Sequence, residues 1–407
     1  MPQGAELTAG RSSVLCRYTM DSIPFNRPYT VGSEFACIQQ AIENGHLSGN
    51  GQFSSWCQEW LEQKTGAVRA LLTPSCTAAL EMAAILSDIG PGDEVIMPSY
   101  TFVSTANAFV LRGATPVWVD VRDDTLNLDE RLVEEAVTSR TRAIVPVHYA
   151  GVGCDMQALV HVARRHELLL VEDAAQGVMA TYGPDSQALG AIGQLGALSF
   201  HETKNVTCGE GGALLVNDAN WVRRAEVLQE KGTNRQEFFR GAVDKYTWVD
   251  VGSSFLLSDI GAAFLWAQMQ YAQPITNRRL EIWNAYYDAF EPLEEAGLVR
   301  RPIVPSSCTH NAHMFYLLVR DLATRDALIA SLVARNIHAL FHYVPLHSSP
   351  AGRRFGRPSG DLAVTENVSD RLVRLPLWPG LEEEAVSRVV DGVYASVAPD
   401  HATRAVR

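Results

Sequence analysis

The sequence predicts an α/β protein: a three-layer α/β/α arrangement around a mainly parallel sheet, followed by a smaller C-terminal α+β domain. Three observations carry this. From residue 70 onward, short β-branched or Leu-rich runs alternate with amphipathic stretches of helical length. Strong stop signals, Gly90-Pro91-Gly92-Asp93 and Gly113-Ala114-Thr115-Pro116, follow two of the helical stretches. Runs such as Leu168-Leu169-Leu170-Val171 are apolar at every position, which suits strands buried on both faces.

In chain order, residues 1–20 read as a disordered N-terminal extension holding Arg11 and Arg17 among Ser and Thr. Strands are expected at Ala70 to Leu72, Glu94 to Met97, Pro116 to Val121, Ala143 to Val147, Leu168 to Val171, Ala197 to Phe200 and Ala213 to Val216. Between them, helices are expected at Thr77 to Ile89, Ser104 to Arg112, Asp129 to Val137 and Asp155 to His166. After Ser258 one apolar stripe joins Ile260, Ala263, Phe264, Ala267 and Tyr271, with a break at Pro274 and a second helix from Asn277 to Phe290. The remainder reads as strand (Met314 to Val319), helix (Arg325 to Arg335), strand (His338 to Tyr343) and closing helix (Glu382 to Val397). This divides the chain into the extension, a large domain over 21–275, and a linking helix with a small domain over 276–407.

Length and charge narrow the function. A chain of 407 residues holds about two to three domains. Its net charge of −12, from 34 basic and 46 acidic residues, argues against a general nucleic-acid or anionic-membrane surface, which needs a Lys/Arg excess. A local basic pocket for a small anion stays open. The seven cysteines are odd in number, far apart and without a CxxC pair, so neither a disulfide framework nor a zinc ribbon is expected. With no signal-peptide core and no run of membrane-spanning length, a soluble cytoplasmic protein is expected.

Ligands of open α/β sheets bind beyond the carboxyl ends of the strands, so the residues just after each strand are the candidates for a site. Thr73-Pro74-Ser75-Cys76-Thr77 sits between strand and helix, where free N–H groups and small hydroxyls either hold a phosphate or simply cap the helix through Ser75 or Thr77. In Glu172-Asp173-Ala174-Ala175-Gln176, an acid directly follows a buried strand and must either cap a helix or face a cation such as a protonated ring nitrogen. Ser199-Phe200-His201-Glu202-Thr203-Lys204-Asn205 precedes the Gly-rich turn Gly209-Glu210-Gly211-Gly212. Lys204 is either a solvated loop lysine or, with a lowered pKa, an amine suited to Schiff-base chemistry with an aldehyde. Phosphate cradle, acid and lysine, in that order on one sheet, are the parts a pyridoxal phosphate site needs.

These residues, with the runs Leu71 to Val121, Ile144 to Tyr149 and Tyr246 to Asp259, resemble the sugar-nucleotide aminotransferases of the fold-type I pyridoxal 5'-phosphate superfamily, the DegT/DnrJ/EryC1/StrS type. The likeness runs from Ile23 to about Val397 and is greatest to the branch that aminates TDP-4-oxo-6-deoxy-D-glucose at carbon 4, giving TDP-4-amino-4,6-dideoxy-D-galactose. It implies pyridoxal 5'-phosphate as cofactor, L-glutamate and a nucleotide-linked ketosugar as substrates, and a homodimer with shared active sites. By position, Lys204 is implied as the lysine that holds the cofactor and shuttles the proton. Asp173 is implied for the pyridinium nitrogen, Gln176 for the ring 3-oxygen, Phe102 for stacking on the ring, and Cys76, Thr77 and Ser199 for the phosphate. The family's Gly-Tyr-Asn is here Gly252-Ser253-Ser254, so the phosphate contact made across the dimer falls to the shorter Ser254.

The resemblance also places His342 to His347 near the sugar-nucleotide mouth. Arg235, Arg240 and Lys245 form a basic stretch that either meets the pyrophosphate or lies on a solvated loop. His342, His347, His310 and His313 have no metal-ligand spacing, so no metal is expected. Trp56, Trp60, Trp248, Trp266 and Trp283 are expected in the core or a dimer interface. Three rivals remain: another ketosugar or carbon; the family's dehydratases, which carry His where Lys204 stands; and a cofactor-binding regulator, for which 1–20 is too short to hold a DNA-binding module.

Overall fold

A computed structural model describes residues 22–398. The extension expected over 1–20 lies outside the described residues. Among them, eight strands form one sheet in the order β1-β9-β8-β5-β4-β2-β3-β12. These are β1 (Arg69–Thr73), β2 (Glu94–Pro98), β3 (Thr115–Val119), β4 (Thr141–Ile144), β5 (Leu169–Asp173), β8 (Leu195–Ser199), β9 (Gly212–Val216) and β12 (Arg357–Pro358). A small sheet joins β6 (Thr181–Tyr182), β7 (Gln187–Ala188) and β10 (Cys308–Thr309), while β11 (Phe315–Leu318) and β13 (Leu372–Leu375) pair antiparallel near the C-terminus.

The large sheet is parallel except for β9, which runs against both β8 and β1. Gly212 therefore faces the last residues of two strands at once, Thr73 and Ser199. Successive side chains of a strand point to opposite faces. Leu71 and Leu214 accordingly enter one apolar cluster, and Ala70, Leu72, Ala213 and Leu215 another.

The helices supply the outer layers. α1 (Glu34–Glu43), α2 (Gln52–Thr65), α3 (Cys76–Leu86), α4 (Val103–Val110), α5 (Glu130–Ala136), α6 (Met156–Arg165), α7 (Ala219–Gln229), α8 (Arg235–Phe239) and α9 (Asp259–Gln270) belong with the large sheet. α10 (Ala272–Ala289) then leads through α11 (Glu291–Glu295) and α12 (Leu322–Ala334) to α13 (Pro350–Phe355), α14 (Ala363–Arg371) and α15 (Glu383–Val397). Trp283 and Tyr286 of α10, Phe315 of β11, Leu328 of α12 and Val389 of α15 share a core cluster of their own.

Two expectations needed correction, and two helices had no counterpart in the sequence reading. The break after the first long helix falls at Tyr271, not Pro274, because Pro274 occupies the first turn of α10, where its missing N–H costs nothing. His338 to Tyr343 is not a strand: Leu340 alone bridges Arg374, after which the chain turns so that His342 and Tyr343 enter the cavity described below. The earliest helices, α1 and α2, were not foreseen. Asp259 at the start of α9 accepts hydrogen bonds from the Ser54 N–H and hydroxyl, both at 2.8 Å, and so caps α2 from 205 residues away.

Candidate active site

The strand ends β1, β5 and β8 and the start of β9 meet at a cavity of about 690 Å³. Its first wall is the start of α3. Ser75 is the N-cap, its hydroxyl accepting from the Ala78 N–H at 3.1 Å. Cys76 and Thr77 are then the first two helical residues, whose N–H groups have no acceptor inside the helix. The Thr77 and Ser104 hydroxyls lie 2.7 Å apart. Gly212 passes so close that a Cβ on it would sit 2.5 Å from the Cys76 nitrogen. Only glycine lets β9 approach this helix end.

Strand alternation separates the two acids at the end of β5. Glu172 turns away and is fully enclosed, accepting from the N–H groups of Gly190, Ile192 and Gly193 and from His148 Nε2 at 2.8 Å. His148 Nδ1 accepts from the Cys154 N–H, so the ring is the neutral Nε2–H tautomer. Asp173 turns into the cavity. One of its oxygens accepts the Thr105 hydroxyl at 2.6 Å and the other the Ala175 N–H at 3.1 Å.

Lys204, on the loop between β8 and β9, lines the same cavity. Among the described residues its ammonium has no hydrogen-bond or ion-pair partner. Burial pulls its pKa below the ordinary lysine value, and the Arg374 cation adds to the fall, while Cys76 and Asp173 oppose it. Phe102 is the N-cap residue of α4 and is 57% exposed at the cavity edge. Gln176 accepts from the Ala150 N–H through Oε1 and donates through Nε2 to the Tyr343 hydroxyl at 3.0 Å, which fixes the amide with its nitrogen on the Tyr343 side. Ser199 completes the set at the end of β8.

His342 also lines the cavity, its Nδ1 2.7 Å from the Tyr149 hydroxyl. Several lining residues were not singled out in the sequence for this site. Arg279, Arg374, His313, Tyr343 and Phe25 all contribute. Arg279 donates to the carbonyls of Ala312 and His313, and burial draws its pKa down to about 9. His313 is pushed far below the usual imidazole range by burial and by the cations Lys204, Arg279 and Arg374.

Four residues expected at the site do not line this cavity. Ser254 is exposed, its backbone bridged to Glu230. Arg240 forks onto Glu226 at 2.6 and 2.8 Å. The Arg235 guanidinium lies 5.1 Å from the Phe239 ring centre, and Lys245 projects into solvent. Around them Phe239 is 63% and Trp248 77% exposed, so Trp248 is not a core residue.

Among the described residues no helix is long and apolar enough to cross a membrane. A model of the DegT/DnrJ/EryC1/StrS aminotransferase family matches residues 29–394. The spore coat polysaccharide biosynthesis protein SpsC of Bacillus subtilis is 35% identical over 379 residues, covering 91% of this chain and 96% of that one. DesV of S. venezuelae, solved with a ketimine intermediate, superposes with a TM-score of 0.83 at 32% identity and covers 93% and 99% of the two chains. A DegT/DnrJ/EryC1/StrS aminotransferase from Brucella abortus superposes at 0.81 with 28% identity, covering 90% and 95%.

Proposed function

The chain belongs to the DegT/DnrJ/EryC1/StrS aminotransferase family, and on that premise we propose that it transfers the amino group of L-glutamate to carbon 4 of TDP-4-oxo-6-deoxy-D-glucose, giving TDP-4-amino-4,6-dideoxy-D-galactose and 2-oxoglutarate. It is a sugar aminotransferase dependent on pyridoxal 5'-phosphate. The observation that carries the reading is the joint placement of Lys204, Asp173 and the open N-terminus of α3 around one cavity.

The residues present fit that cofactor. Two unpaired helix N–H groups, the hydroxyls of Thr77 and Ser199, and a strand that only glycine brings close form a cradle for a phosphate. Asp173, with both oxygens held by neutral donors, offers a fixed negative charge for a protonated ring nitrogen. The Gln176 nitrogen side can donate to a ring oxygen, and the Phe102 ring is placed to cover one face. When bound, the cofactor supplies the aldehyde that carries the amino group and the ring that stabilises a carbanion.

The chain supplies the proton work. A desolvated lysine without an ion-pair partner loses its proton more readily than a solvated one, so Lys204 serves as base toward the donor's α-carbon and returns a proton to the sugar carbon. The acid opposite it keeps the ring protonated throughout. His342, tied to Tyr149, is assigned to the sugar side of the cavity.

The proposal extends to a homodimer acting in the cytoplasm, with a cofactor domain over 21–275 and a small domain over 276–407. Exposed Phe239, Tyr246 and Trp248 support burial of the 235–254 segment against a second copy. There Ser254 would reach the partner's cofactor phosphate, and Arg235 and Lys245 the nucleotide diphosphate. Arg240 would first have to release Glu226. Likeness to a spore coat polysaccharide protein supports a product bound for a polysaccharide.

The test follows 2-oxoglutarate release while TDP-4-oxo-6-deoxy-D-glucose is varied, with the sugar product read by NMR. Saturable release with a new axial amine at carbon 4 is expected. Amination of only 3-oxo sugars, or of UDP-linked sugars, would reassign the substrate.

A further inference from the structure

We propose that His313 Nε2 is the hydrogen-bond acceptor that holds the Lys204 amine whenever that amine is free of the cofactor, which makes His313 a positioning residue for the proton transfer. This rests on the transamination reading above and adds to it a fixed resting place for the group that carries the proton.

Every other polar atom of His313 is committed. Its N–H donates to Asn311 Oδ1 at 3.0 Å, and its carbonyl accepts from Arg279 Nη2 at 2.6 Å. Asn311 in turn donates to the carbonyls of Gln176 and Val178, both at 2.8 Å, which pins this part of the chain to the loop after β5. Ala312, between the two, has a φ of 50°, in the left-handed region that alanine seldom enters, and Arg279 Nε holds its carbonyl. On the ring, Nδ1 lies 3.2 Å from Asn205 Oδ1. The Asn205 nitrogen donates to the Asn311 carbonyl at 2.8 Å, so the amide turns its oxygen toward His313 and Nδ1 must be the donor. That leaves Nε2 as a bare lone pair on a ring that lines the cavity, without a hydrogen-bond partner among the described residues.

The cavity therefore holds an acceptor that lacks a donor and, in the Lys204 ammonium, a donor that lacks an acceptor. Asn205, which sets the ring, is the residue immediately after Lys204, so one side chain ties the two together. The charged neighbours on every side fit this pairing. Lys204, Arg279 and Arg374 keep the buried imidazole neutral. Cys76, Asp173 and Arg374 act on the lysine, but the Asp173 oxygens are already taken by Thr105 and Ala175.

A neutral imidazole suits the task better than a carboxylate. It accepts an N–H without forming an ion pair, so it holds the amine in place without making the proton harder to release. Being kept from protonation itself, it leaves that proton on the lysine. The bond closes by rotation about the flexible four-carbon lysine stem. A substrate hydroxyl could also donate to Nε2, but nothing in the chain ties a hydroxyl to this ring as Asn205 ties Lys204.

The test uses the full chain loaded with pyridoxamine 5'-phosphate, in which Lys204 is free, and compares wild type, His313→Phe and His313→Gln. The Lys204 amine is titrated by NMR in protein carrying 13C-labelled lysine, the other three lysines being exposed. In His313→Phe the ammonium loses its acceptor and is expected to titrate about one pH unit lower than in wild type, while the amide oxygen of His313→Gln recovers most of the difference. In turnover, kcat of His313→Phe is expected to fall about 10-fold with KM for the ketosugar within about twofold. A 15N spectrum of wild type, which needs no variant to fold, should show His313 protonated at Nδ1 and bare at Nε2. A proton on Nε2 overturns the proposal. An unchanged Lys204 titration in His313→Phe, or a raised KM with kcat intact, also overturns it and gives Nε2 to a substrate hydroxyl. A wild type that shows the expected titration difference yet takes an amino group from no amino acid supports the proposal and overturns the transamination reading instead.

Discussion

Thr105 donates its hydroxyl to Asp173 at 2.6 Å, and the Thr101 hydroxyl stands 2.8 Å behind it. This chain of hydroxyls runs from the residues ahead of α4 to the end of β5 and holds Asp173 facing Lys204's cavity. Thr105→Val, which keeps the shape and removes the donor, is expected to cost about 1–3 kcal/mol in the placement of a buried carboxylate. Equilibrium dialysis should show cofactor affinity falling by about 5- to 100-fold, with the fold unchanged by circular dichroism.

Glu172, one residue earlier, makes the opposite prediction. Its three backbone donors and the neutral His148 form an enclosed network, and none of these residues lines the cavity. Glu172→Ala would leave the histidine N–H and three backbone N–H groups without an acceptor, and urea titration should show a loss of about 3–5 kcal/mol. The affinity of the protein that remains folded for cofactor should change little.

Reading the two acids apart was within reach of the sequence, and reading the cations was not. The order of cradle, acid and lysine is legible because parallel strands deliver their last residues to one edge, whatever the helices between them do. Thr73, Asp173 and Ser199 stand within a residue or two of the expected strand ends. Arg374 left only a faint signal, a lone charge in the run Leu372-Val373-Arg374-Leu375, and nothing local says that β13 reaches the cavity of another sheet. Arg240 looked free because its partner Glu226 lies 14 residues earlier on α7. α1 and α2 escaped for the same reason, since the cap on α2 comes from Asp259.

Gly212 tests the cradle sterically. An alanine Cβ would lie 2.5 Å from both the Cys76 nitrogen and the Ser75 carbonyl carbon, so β9 or the start of α3 must shift. Gly212→Ala should lower stability by about 1–3 kcal/mol. Dialysis should strip its cofactor faster than from wild type, whereas Gly90→Ala, where a Cβ meets nothing and the backbone is not left-handed, should retain it.

Lys204 carries a pH signature in the cofactor-free protein. Its pKa is lowered by burial from the ordinary 10.5, so between the folded value and 10.5 the unfolded chain binds more protons than the native one. Stability contributed by this group therefore rises with pH across that window, and the full desolvation cost is felt below it. Unfolding free energy of wild type minus that of Lys204→Met, followed by denaturant titration from neutral to alkaline pH, should increase. A flat difference would mean that the ammonium is solvated.

The chain has only four lysines, Lys64, Lys204, Lys231 and Lys245, which makes the decisive measurement unambiguous. Holoenzyme treated with borohydride and mapped by mass spectrometry should carry the reduced cofactor on the peptide containing Lys204 and on no other. Label on Lys64, Lys231 or Lys245, or a protein that takes up no cofactor, would contradict the assignment of Lys204 as the residue through which this aminotransferase works.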